Sequence, residues 1–254
     1  MRNAIDFPLP TATEQQLSDT LTVAIRDEID AAGGCIPFSR YMELCLYSPG
    51  TGYYSAGQRK FGPGGDFVTA PEISPLFGRC VAHSCAAVLE AAGGGSILEF
   101  GAGSGRMAVD LLGELAAIDC LPDRYMVLER SAELRLRQQE TIQSGLPELA
   151  GRVTWLDELP APGFRGVVLA NEVLDAMACE RFRWTGEEAE QFFVVHDEKK
   201  FSWQARPSID SDLTDRVDQY ARDYALSPGY VSEINLALGP WLSSVAERIE
   251  SGMV

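Results

Sequence analysis

What this chain lacks narrows its chemistry first. No apolar run in its 254 residues approaches the ~20 residues of a membrane-spanning helix. The first residues carry neither a basic, apolar secretory pattern nor an Arg-rich transit pattern, so a cytoplasmic protein, bacterial in style, is the expectation. Histidine is scarce: only His83 and His196 occur. The six cysteines (Cys35, Cys45, Cys80, Cys85, Cys120 and Cys179) form no C-x-x-C and fit no zinc spacing. Metal chemistry and Ser-His-Asp catalysis are therefore poorly supported, and no metal is expected. His83 reads as a packing residue on an amphipathic helix and His196 as a surface residue. Positive charge is also in deficit. With 21 basic and 37 acidic residues the net charge is −16, a field that repels phosphate backbones and speaks against nucleic acid as a partner. Its plain reading is solubility, and it would also favour a basic polypeptide or a small cation. Hydrophobic residues make up 46% of the chain, enough for a substantial core.

The richest segment is Ser96-Ile97-Leu98-Glu99-Phe100-Gly101-Ala102-Gly103-Ser104-Gly105. It reads as a short buried strand that runs into E-x-G-x-G-x-G and then into an apolar helix from Met107 to Leu115. Alternate glycines allow a tight turn and let a ligand lie against bare main chain. Glu99 is a carboxylate that a phosphate site would not favour, so the loop points toward a cationic or hydroxyl-rich cofactor. Three other loops fail on their spacing. The nicotinamide fingerprint has its third glycine where Arg106 stands, no Lys follows as an ATP-type loop requires, and Ser104 lacks the glycines of a nucleophile elbow. A purely structural glycine turn remains the plain alternative.

Further candidate strands carry polar residues at their carboxyl ends. Arg124 to Leu128 leads to Glu129, Arg152 to Leu156 leads to Asp157, and Gly166 to Ala170 leads to Asn171-Glu172. Open α/β sheets bind ligands at such ends, and an acid after the second strand accepts from a ribose diol. For each acid alone, a solvated loop or a helix N-cap is the alternative.

The first 95 residues do not share this strand-helix alternation. Glu14 to Ala32 has helical periodicity, Pro37 to Leu46 suits a second helix, and Arg59 to Asp66 has the glycine-rich composition of a lid loop. Ser74 is placed to cap a helix from Pro75 to Leu89. The expected division is thus an extension over 1–95 and a sheet domain over 96–254, with an antiparallel β insertion around 180–205. Asp212 to Tyr224 and Leu236 to Ile249 read as helices, with four parallel strands complete by Ala170. A sheet that stops after a helix leaves an open edge, so the chain is expected to be an N-terminal portion of a longer protein.

The segment Glu99 to Gly105, with Glu129 closing the next strand, resembles motifs of class I S-adenosylmethionine-dependent methyltransferases. Lys60 to Gly78, Ala170 to Ala176 with Glu180-Arg181-Phe182, and Ser232-Glu233-Ile234-Asn235 are similar to signatures of the MidA family, which includes the mitochondrial protein-arginine methyltransferase needed for assembly of respiratory complex I. Members of that family are usually longer, and Met177-Ala178-Cys179 departs from their usual leucine-proline-valine. The resemblance implies a Rossmann-like α/β fold with a helical N-terminal extension and C-terminal strands missing. It also implies S-adenosyl-L-methionine as cofactor and a protein substrate, such as a complex I subunit, methylated on arginine. Gly101, Gly103 and Gly105 would hold the methionine part, Glu99 would favour its ammonium, Glu129 would take the ribose hydroxyls and Asp157 the adenine amino group. Glu172 and Asp175 would receive the substrate guanidinium, with Glu72 and Glu233 as further acids. A different methyl acceptor, or a non-catalytic assembly module that keeps the fold, stays open at this point.

Overall fold

The computed structural model describes residues 9–55, 69–197 and 200–254. In chain order, α1 is Ala12–Ala31, β1 Ile36–Pro37, α2 Phe38–Tyr47, α3 Ala70–Ile73 and α4 Pro75–Ala92. Next come β2 Ser96–Phe100, α5 Arg106–Ala117, β3 Tyr125–Leu128, α6 Ala132–Gly145, β4 Val153–Leu156 and β5 Phe164–Leu169. Three strands follow, β6 Glu180–Trp184, β7 Ala189–His196 and β8 Phe201–Pro207. The last elements are α7 Ser211–Tyr224, β9 Tyr230–Ile234, α8 Leu238–Ala246 and β10 Ile249–Met253.

These elements form two units. One holds the described residues up to 55 together with Met177–Ala237, and the other holds 69–176 together with Leu238–Val254. This corrects the division expected at residue 95. α4 belongs with the sheet that follows it, because its apolar stripe of Ala82, Cys85, Ala86 and Leu89 is covered by Ile97 of β2 and by Leu111 and Leu115 of α5. The β insertion is also wider than 180–205: it runs on through α7 and β9.

In the first unit, β7 pairs antiparallel with β1, β6 and β8, and β6 pairs antiparallel with β9. α1 starts with a complete capping box, in which Thr11 and Glu14 satisfy each other's backbone N–H. Its Ile25 and Ile29 are buried with Ile36 and Val194. Two family-like segments, far apart in sequence, are cross-strand neighbours here: Arg181 lies opposite Glu233 and Phe182 opposite Ser232. The Arg181 and Glu233 side chains pair at 3.8 Å. The buried Glu180 carboxylate accepts from the Ser39 hydroxyl and from the Gln191 amide at 3.0 Å. His196, expected at the surface, is partly buried, with Nε2 3.0 Å from Asp30.

The second unit contains an all-parallel sheet in the order β10-β5-β2-β3-β4. Side chains alternate across β2. Ile97 enters the cluster with α4 and α5, while Leu98 and Phe100 enter a second cluster with Val245 of α8. Ser74 caps α4 by accepting from the Leu76 N–H at 3.2 Å, and Pro75 occupies its first turn, as the sequence predicts. One expectation fails at the C-terminal end. The helix read as far as Ile249 stops at Ala246, and Ile249–Met253 forms a fifth strand parallel to β5. The Arg248 carbonyl accepts from Gly163 and Phe164 N–H at 3.0 and 2.8 Å. The run Ile249-Glu250-Ser251-Gly252 offers no helical apolar period and suits an extended strand.

Candidate functional site

The strand order reverses between β5 and β2. β3 and β4 extend the sheet to one side of β2, and β5 and β10 extend it to the other. Loops leaving neighbouring strands at such a reversal part to opposite faces and open a crevice at the carboxyl ends. The loop after β2 is the glycine segment. Gly101, Gly103 and Gly105 have φ of +60°, +54° and +83°, a region open to glycine at little cost, so their spacing is a backbone requirement. Val173 lies against Gly101, where a Cβ would stand 3.7 Å from its Cγ2. Val173 thus brings the start of the loop after β5 against the glycine loop at the floor of the crevice, with Glu172 just before it and Asp175 two residues beyond.

The other expected acids have distinct settings. Glu129 follows β3 and is 7% exposed; its Oε1 accepts from the Ser131 N–H at 2.9 Å and its Oε2 from Gln138 at 3.1 Å. Asp157 follows β4 with its side chain 89% exposed, in an ion pair with Arg135 at 2.8 Å. Leu128, Glu129, Arg130, Ala132, Arg135 and Asp157 line a groove of about 370 Å³. Glu172 is exposed and stands at φ +52°, and Asp175 is exposed on a 3-10 turn, Leu174–Ala176. Glu233 lies in the other unit.

Glu99 is buried, at 2% exposure, and its Oε2 accepts from the Tyr125 hydroxyl at 2.7 Å. Burial pushes its pKa from 4.5 up to about 7; the Tyr125 hydrogen bond acts the other way, and the nearby Glu129 charge adds a smaller upward push. The native state thus keeps a proton between about pH 4.5 and 7 that the unfolded chain releases. The stability this contributes is fully present below about pH 4.5 and is lost as pH rises to about 7. Glu99→Gln keeps an acceptor for Tyr125 and removes the titration. Urea melts should show the wild type losing stability from pH 5 to pH 8 and Glu99→Gln losing less, with the variant ahead at pH 8 by on the order of 2 kcal/mol. Parallel curves would show that Glu99 does not carry this proton.

Three further participants lie outside the expected site residues. Arg135 donates to the carbonyls of Glu129 and Leu156 at 2.7 and 2.6 Å, so it braces both strand ends while it pairs with Asp157. Ser104 donates to the Glu72 carboxylate and accepts from the Arg106 N–H at 3.2 Å, which ties α3 to the glycine loop. Gln138 joins Gly103, Glu129 and Trp155. Its signal was present in the sequence, since Leu134, Gln138 and Ile142 form the buried stripe of α6 and only one of them is polar. The glycine-rich segment from Arg59 to Asp66, and the start of the family-like segment that contains it, lie outside the described residues.

The groove suits a nucleoside with a cationic tail. It offers the Glu129 carboxylate with accepting capacity to spare, and the glycine loop is tied to that carboxylate through Gln138. Among the described residues no cluster of His, Cys, Asp and Glu could hold a metal ion, and no helix is long and apolar enough to cross a membrane.

Comparison with known proteins agrees with this geometry. Residues 80–254 match the family described as "Putative S-adenosyl-L-methionine-dependent methyltransferase". A crystal structure titled a "likely methyl transferase from Burkholderia thailandensis bound to S-adenosyl-homocysteine" is 41% identical with a TM-score of 0.89, over 97% of this chain and 64% of that one. The mitochondrial protein arginine methyltransferase NDUFAF7 homologue of Caenorhabditis elegans is 28% identical over 185 residues, which are 63% of this chain and 43% of that protein. Its Drosophila melanogaster counterpart is 31% identical over 175 residues, 59% of this chain and 39% of that protein. The chain spans less than half the length of these curated relatives.

Proposed function

Because the chain belongs to this family of S-adenosyl-L-methionine-dependent methyltransferases, we propose that it binds S-adenosyl-L-methionine and transfers the methyl group to an arginine side chain of a protein. A respiratory complex I subunit is the substrate class the family resemblance implies. The observation that carries the reading is the linkage, at one end of the sheet, of the loop of three left-handed glycines to the Glu129 carboxylate through the Gln138 amide. The arginine part is supported by the names of the nematode and fly relatives and by the exposed acids after β5.

When bound, S-adenosyl-L-methionine supplies a methyl group made electrophilic by its sulfonium. Gly101, Gly103 and Gly105 hold the methionine part against bare main chain, Glu99, which burial keeps protonated up to about pH 7 in the free chain, ionises to favour its ammonium, Glu129 accepts from the ribose hydroxyls, and Asp157 serves the adenine side of the groove. Glu172 and Asp175 orient the substrate guanidinium and take up the proton that the methylated nitrogen loses. Titration of the folded chain with S-adenosylhomocysteine tests the binding. Incubation with labelled cofactor and an arginine-containing peptide, followed by mass spectrometry, tests the transfer. A folded protein that binds no S-adenosylhomocysteine would overturn the proposal in favour of a non-catalytic module.

The Glu172 backbone makes a sharper test available. A non-glycine residue at φ +52° stands where glycine is at ease, and such strain gathers at functional positions. Glu172→Gly should therefore leave folding stability unchanged or raise it by up to about 1 kcal/mol. Methyl transfer should nonetheless fall about 100-fold, with cofactor affinity kept. Normal turnover in this variant would remove Glu172 from the acceptor site.

A further inference from the structure

Gln138 is wholly buried, at 0% exposure, and every polar atom of its amide is engaged. Its Oε1 accepts from the Trp155 indole N–H at 2.8 Å. Its Nε2 donates to the Gly103 carbonyl and to Glu129 Oε2, each at 3.1 Å. The indole N–H can only donate, so it fixes which end of the amide faces it, and both amide N–H groups then point at the two remaining acceptors. A buried network with no polar atom left over has one low-energy arrangement.

We propose that Gln138 is a positioning residue for the cofactor, holding the Glu129 carboxylate toward the ribose diol and tying that carboxylate to the glycine loop. The proposal rests on the cofactor reading above. A carboxylate has about four accepting positions. The Ser131 N–H and the Gln138 amide occupy one on each oxygen, which sets the plane of the group and leaves capacity for a diol. The glycine loop is held by the same residue. A Cβ on Gly105 would stand 3.1 Å from the Gln138 Cα, and the Gly103 carbonyl is a direct partner. The segment for the methionine part and the acid for the ribose thus share one amide, and a disturbance of that amide reaches both.

The test uses the full chain and two probes, S-adenosylhomocysteine and its 2′-deoxy analogue, titrated into wild type, Gln138→Met and Trp155→Phe. Methionine keeps the length of the side chain and removes its hydrogen bonds. The wild type should favour the ribose compound by about tenfold. Gln138→Met should bind S-adenosylhomocysteine about tenfold more weakly, and its preference over the 2′-deoxy analogue should shrink to about twofold. Trp155→Phe, which frees the amide to turn, should shift both quantities the same way by less. It also serves if Gln138→Met does not fold. Adding Glu129→Gln to Gln138→Met should give less than the sum of the single effects, because the two residues act as a unit. A Gln138→Met protein with the wild-type ribose preference would overturn the proposal even if its affinity had fallen, since a purely structural residue weakens both probes alike. A wild type that binds neither probe would instead overturn the cofactor reading on which the proposal stands. A wild type that binds both equally would remove Glu129 from the ribose and the proposal with it.

Discussion

Glu129→Ala should bind S-adenosylhomocysteine more weakly by about 1–3 kcal/mol, or roughly 5- to 150-fold in Kd, the range for a lost charged acceptor. The carboxylate lies at the carboxyl end of β3 in the groove, at 7% exposure, with both oxygens already engaged by protein donors. Its removal takes away the acceptor for the ribose and also strands the Ser131 N–H and one Gln138 N–H, so stability should fall as well, by about 1–2 kcal/mol. Glu129→Gln keeps the volume and one acceptor oxygen and should fall between wild type and alanine. Calorimetric titration measures the affinities, and urea unfolding without ligand measures the stabilities. An alanine variant with wild-type affinity would place the ribose elsewhere. Asp157→Ala provides a contrast: that side chain is largely exposed and paired with Arg135, and screened surface pairs contribute little.

The largest loss of stability is expected from Gly166→Ala. Gly166 lies in β5 between Ser96 of β2 and Gly252 of β10, at φ +131°, which only glycine adopts readily. A Cβ there would be driven into the Ser96 carbonyl, and a Cβ on Gly252 into the Gly166 carbonyl. Both obstacles are backbone in the middle of the sheet, so neither can swing aside as a flexible side chain would. A cost of at least about 3 kcal/mol is expected, a large part of the stability of an ordinary domain. Gly151→Ala is the matched control, since nothing lies within 4 Å of a Cβ at Gly151, and it should stay within about 0.5 kcal/mol of wild type. If Gly166→Ala unfolds at the wild-type urea midpoint, the register of β2, β5 and β10 is wrong.

Each signal in the sequence acts over its own range along the chain. The strand ends at Phe100, Leu128 and Leu156 and the cap at Ser74 lie close to their expected places. Alternation, capping and turn chemistry depend on residues a few positions apart. The C-terminal strand is hard to see in the sequence because it follows an apolar helix after only two residues, while what makes the segment a strand is pairing with Phe164 to Val167, some 85 positions earlier in the chain. For a related reason, residue 95 is not a boundary between the two units. α4 looks like part of a helical extension until Ile97, Leu111 and Leu115 are seen to cover it.

By itself, the sequence determined that an α/β sheet would present a glycine turn and a row of acids at successive strand ends. That information is carried by short-range periodicity and by the left-handed backbone angles that glycine adopts at least cost. Tertiary structure alone decided which groups act together: Glu72 with Ser104, Arg135 across two strand ends, Gln138 between the loop and Glu129, and Arg181 opposite Glu233. A buried polar side chain is defined by its partners, and those partners come from segments brought together only when the apolar faces of helices and sheet close on one another.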